Sequence, residues 1–158
     1  MGRRLIFPSL MLPPSCRRAL NTIEMEPLAS HIAGLGIDAL LAEGSPEAVD
    51  LIANCPPLRR YLSFASKFCS WHNPAVYPIY DANARACLWG YKKQDQFAKF
   101  QQQDLWYYEK FRAAVVAFRK HYGLDSLTFK QLDKFLWLSG DRIRRTNGPK
   151  LNAPPEVA

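Results

Sequence analysis

The sequence predicts an all-α fold, and three observations carry that expectation. Apolar residues recur at helical spacing, as in Leu58, Tyr61, Leu62, Ala65, Phe68 and Cys69, and again in Leu105, Tyr108, Phe111, Val115, Phe118 and Tyr122. Residues that start or stop helices bracket these runs. No stretch sustains period-two alternation, and no internal repeat is visible. At 158 residues and 48% hydrophobic content the chain can fill one core. The expected organisation is an irregular arm over residues 1–14, one compact multi-helix domain over 15–141, and a basic tail over 142–158.

Taken in order, Ser15 can cap a first helix reaching about Met25. Pro27 then opens a second segment with Leu28, Ile32 and Leu35 on one face and His31 in a structural role. Ile37 to Leu41 reads as a short helical turn ended by Gly44, and Ser45-Pro46-Glu47 restarts the chain with a cap and a proline at the first helical position. The helix after Leu58 presents Arg60, Phe64, Lys67 and Trp71 on the face opposite its apolar stripe. Pro74 and Pro78 interrupt it, because each disfavours helical geometry in the preceding residue. Asp81 stands where an N-cap belongs, and Gly90 is placed to end the helix that follows. Asp104 can cap a long helix closed by Gly123. Thr128 and Gln131 form a capping box for a last helix, finished by Gly140.

The balance of 21 Lys+Arg against 14 Asp+Glu gives a net charge of +7, concentrated in the second half, where residues 80–158 hold 14 basic and 8 acidic groups. That excess, with 13% aromatic residues, suits attraction to a phosphate backbone combined with base stacking. Cys16, Cys55, Cys69 and Cys87 form no CxxC pair, so neither a disulfide framework nor a zinc ribbon is indicated. Cys69 and His72 lie one helical turn apart without a matching second pair, and no metal or cofactor is expected. No run approaches membrane-spanning length, and the expectation is a cytoplasmic monomer with DNA as its partner and no membrane association. P-loop, GxSxG and HExxH motifs are absent.

The chemistry-bearing residues gather between Ser63 and Trp89. A lysine and a carboxylate joined by a short link between helices, Lys67 and Asp81, can act as nucleophile and charge stabiliser if the two ends converge. Here the sequence resembles the helix-hairpin-helix DNA glycosylases. Tyr61-Leu62-Ser63-Phe64-Ala65-Ser66-Lys67 is similar to their hairpin and lysine, with Ser63 and Ala65 where the family prefers glycine. Tyr80-Asp81-Ala82-Asn83-Ala84-Arg85 is similar to their hydrophobic-Asp pair opening a helix. Lys67 and Asp81 are fourteen residues apart, a tighter link than the family's. The resemblance covers roughly residues 58–90.

It implies a compact glycosylase core that hydrolyses the N-glycosidic bond of a damaged or modified base and leaves an abasic site. The base could be oxidised, deaminated or alkylated, or a hypermodified phage pyrimidine, which would make the protein an anti-phage defence factor. Asp81 would stabilise positive charge developing on the sugar, at a helix N-terminus that favours an anion. Lys67 could instead attack the sugar carbon and add strand cleavage; a monofunctional enzyme is expected. Trp71, Tyr80, Trp89 and Tyr91 are the candidates to hold an extruded base. Arg60, Arg85, Lys92, Lys93, Arg142, Arg144 and Arg145 are the candidates for phosphate contacts. Two alternatives stand beside this reading: a non-catalytic nucleic-acid-binding module, and a helical protein-interaction module whose exposed aromatics meet a partner.

Overall fold

The computed structural model describes residues 22–56 and 60–147, so the proposed arm, Ser15, Cys16 and Lys150 lie outside the described residues. All regular structure among the described residues is helical. The chain divides into two compact units, one ending at Asn73 and the next beginning at Pro74.

In the first unit, α1 (Thr22–Gly34), α2 (Asp38–Glu43), α3 (Pro46–Ala53) and α4 (Leu62–His72) follow one another. Pro27 does not open a separate segment: α1 runs through it and buries Leu28 and Ile32 on one face. Burying that face outweighs the backbone hydrogen bond that a proline forfeits. His31 has the structural role expected, donating from Nε2 to the Leu51 carbonyl at 2.8 Å. Gly44 takes the left-handed conformation (φ 73°) that closes α2. Ser45 then caps α3, its Oγ accepting from the Glu47 N–H at 3.3 Å with Pro46 at the first helical position. Ala48, Val49, Ile52 and Ala53 of α3 are buried, as are Ala65, Phe68 and Cys69 of α4. Phe64 corrects the predicted exposed face of α4: it is buried, its ring centroid 6.3 Å from that of Phe68.

The second unit holds α5 (Ala82–Asp95), a 3-10 helix (Gln102–Trp106), α6 (Tyr108–His121) and α7 (Phe129–Asn147). Its irregular entry is tied down where buried Tyr108 donates its hydroxyl to the Pro78 carbonyl at 2.9 Å. Three expected boundaries move. Helix α5 continues through Gly90 and ends at Gln96, a non-glycine residue in the left-handed region (φ 52°). The stripe beginning at Leu105 is not one helix, because the chain turns extended at Tyr107 between the 3-10 helix and α6; the Asp104 carboxylate accepts from the Gln101 N–H at 2.8 Å within the shorter element. Helix α7 begins with the predicted Thr128/Gln131 capping box, yet passes through Gly140 and carries Arg142, Arg144 and Arg145 on helix rather than in a tail.

The reason for the last change is a close helix contact. A Cβ placed on Gly140 would stand 1.8 Å from the Asn83 carbonyl oxygen, so α7 rests directly on the backbone of α5 at that point. A Cβ on Gly90 would meet the Ile143 side chain at 2.9 Å. The two glycines let the helices approach. That packing offsets the roughly 1 kcal/mol by which glycine weakens a helix relative to alanine.

Candidate functional site

The site is built at the start of α5. Asp81 is extended (φ −153°, ψ 174°), and its Oδ1 accepts from the Ala84 N–H at 2.7 Å. The carboxylate is therefore a helix cap, an arrangement worth about 1 kcal/mol to a helix. Tyr80, one residue earlier, is buried with its ring edge-on to Phe111 at 5.0 Å. Its neighbour Asp81 is only half-buried.

Asn83 lies beneath the Gly140 contact and is buried. Arg144, one helical turn beyond Gly140, donates from Nη1 to Asn83 Oδ1 at 2.7 Å. Arg85 stacks its guanidinium on the Trp106 ring, 3.7 Å from the centroid, with the Tyr80 ring at 5.6 Å. Burial lowers the pKa of Arg85. Tyr80 pulls it the other way, and Arg144 pushes it down by like-charge repulsion that exceeds the opposing pull of Asp81. Arginine stays charged through such a shift. The Nε atoms of both arginines are buried without a hydrogen-bond partner among the described residues.

The other candidates divide among several settings. In the first unit, Arg60 pairs with Asp50 at 2.5 Å, Lys67 is half-buried on α4, and Trp71 is exposed at 65% relative area. The segment that resembles a hairpin, Tyr61 to Lys67, is continuous helix from Leu62 onward. In the second unit, Tyr91 packs edge-on against Phe118 at 5.3 Å and Tyr122 at 5.5 Å, as part of the scaffold. Tyr122 donates its hydroxyl to Asp95, and burial, with Asp95 adding to it, raises the pKa of both phenols. Trp89 is half-buried with Phe100 at 6.4 Å. Lys92 bonds Gln96 and Arg145 pairs with Asp141 at 2.8 Å, while Lys93 and Arg142 are exposed. Of the predicted residues, the structure thus gathers Asp81, Tyr80, Arg85 and Arg144.

Asn83, Trp106 and Gly140 belong to the site and escaped the sequence reading. The signal for Gly140 was present: Phe129, Leu132, Leu136, Gly140 and Ile143 continue one helical stripe past the glycine.

Among the described residues no group of three His, Cys, Asp or Glu side chains is placed to hold a metal ion. Cys69 is fully buried, and burial pushes its thiol up to about 12; Cys87 behaves alike. His72 rests on Phe68 at 4.6 Å, its pKa lowered by partial burial against the opposing charge of Asp38. Thiolate is the reactive form of cysteine, so Cys69 and Cys87 will stay unalkylated by iodoacetamide at pH 8 in the native protein. Peptide mass spectrometry will show both labelled only after denaturation.

Comparison with known proteins adds relatives without adding an activity. A family model named HI_0787_N, described as an N-terminal domain, matches residues 17–76 and so ends close to the boundary of the first unit. An uncharacterized protein of Haemophilus influenzae is 33% identical over 127 residues, which are 78% of this chain and 60% of that protein. The chain thus spans about three-fifths of that relative's length. No solved structure matches. No helix among the described residues is long and apolar enough to cross a membrane.

Proposed function

We propose that this chain is a DNA glycosylase-like enzyme that hydrolyses the N-glycosidic bond of a damaged or modified base. The observation that carries the reading is the setting of Asp81: a half-buried carboxylate, fixed in direction by the Ala84 N–H, within the electrostatic reach of Arg85 at the opening of a helix. A carboxylate so held can face the sugar as the bond to the base breaks and positive charge grows there. Water completes the reaction: its hydroxyl joins the sugar carbon, its proton goes to the departing base, and an abasic site remains. The reading needs no lysine nucleophile.

A second reading, a nucleic-acid-binding module without catalysis, is favoured by the continuous helix over Leu62–His72, which leaves no hairpin of exposed amides in that segment. One experiment separates the two. Oxidised, deaminated, alkylated and phage-modified DNAs are incubated with wild type and Asp81→Asn, and released bases are identified by mass spectrometry. The expected result is one free base from wild type, with release reduced by about 100-fold or more in the variant. Absence of any free base, together with salt-sensitive DNA binding, would replace the enzyme with the binding module.

A further inference from the structure

We propose that Arg85 and Arg144, beside Asn83 at the start of α5, form a binding site for a phosphate group. The inference narrows the expected phosphate contacts to this one pair, and it does not depend on base excision, because the site would hold phosphate whether or not a base is released.

Four observations carry it. The Arg85 guanidinium lies on Trp106, and a guanidinium held by its face keeps its N–H donors in the plane for an acceptor. No hydrogen bond or ion pair of that guanidinium occurs among the described residues. The group that receives Arg144 is the Asn83 amide, a neutral acceptor that does not cancel the charge of Arg144. Two guanidinium groups stand against the single Asp81 carboxylate, so the cluster carries an excess of positive charge in a partly desolvated place.

The helix end itself is not the site, since the Asp81 carboxylate already occupies it. Two planar forks from different helices suit a tetrahedral phosphate, whose several oxygens can be shared between them, better than a carboxylate with its single edge.

The test is a titration of the full-length protein followed through the arginine Nε–H signals in ¹⁵N NMR, assigned by their loss in Arg85→Lys and Arg144→Lys. Inorganic phosphate is one probe and a short single-stranded oligonucleotide without terminal phosphates is the other. Both signals are expected to move saturably with at least one probe. Response to inorganic phosphate marks a site for a free or terminal phosphate, and response to the oligonucleotide alone marks a backbone phosphodiester. Arg144→Gln should weaken that binding about tenfold or more. Asp81→Asn should leave it intact or tighten it, which separates this site from catalysis. Signals that neither probe moves in the folded wild type would overturn the proposal.

Discussion

Gly140→Ala will destabilise the protein by about 3 kcal/mol, at the upper end of what overpacking in a filled interior costs. The new methyl group would stand 1.8 Å from the Asn83 carbonyl oxygen and 2.4 Å from its carbonyl carbon. These are backbone atoms of α5 and cannot rotate aside as a side chain would. Helix α7 must therefore lift, and lifting it also strips Ile143 from Gly90 and Arg144 from Asn83. For a chain of this length the loss corresponds to a drop of roughly 10 °C in Tm, measurable by circular dichroism and denaturant titration. Gly34→Ala is the control: nothing lies within 4 Å of its added Cβ, so the substitution should be neutral or stabilise by up to about 1 kcal/mol. Equal behaviour of the two variants would refute the close contact.

Phe118→Ala is the second large effect, expected at about 3–5 kcal/mol. Phe118 is 1% exposed and stands among aromatic rings: Tyr122 at 4.6 Å, Tyr91 at 5.3 Å, Phe97 at 5.4 Å and Phe135 at 6.1 Å. Removing it forfeits its own burial and the edge-on contacts with Tyr91 and Phe97, each worth about 0.5–1.5 kcal/mol beyond area. Phe118→Leu keeps most of the volume but still forfeits the two edge-on contacts, and should cost less than the alanine variant, about 1–3 kcal/mol. If the alanine variant unfolded at the same denaturant concentration as wild type, this cluster would not be part of the core.

The helices were legible because their periodicity and caps agree, most plainly at Ser45-Pro46 and at Thr128/Gln131. The boundaries that moved share a cause. Pro27, Gly90 and Gly140 are poor helix residues by intrinsic preference, and each sits inside a helix because packing decides. At Gly140 the property that reads as a stop signal, absence of a Cβ, is what admits the neighbouring backbone. The break at Tyr107 was hidden because spacing of three residues fits a 3-10 turn as well as an α-turn.

Asp81 could be placed as a cap from its local sequence. The partner of Asn83 could not, since Arg144 lies 61 residues further on. Tyr80 and Tyr91 show the other limit: aromatic residues near a proposed site look alike in sequence whether they line a pocket or fill a core, and here both pack against core rings.

The separation of Asn83 and Arg144 also sets an order of events during synthesis. At roughly 5–20 residues per second, Arg144 is added several seconds after Asn83. Until then the opening of α5 has its carboxylate cap but only one of its two arginines. A nascent chain would thus lack this cation pair, and would gain it only when α7 docks through Gly140.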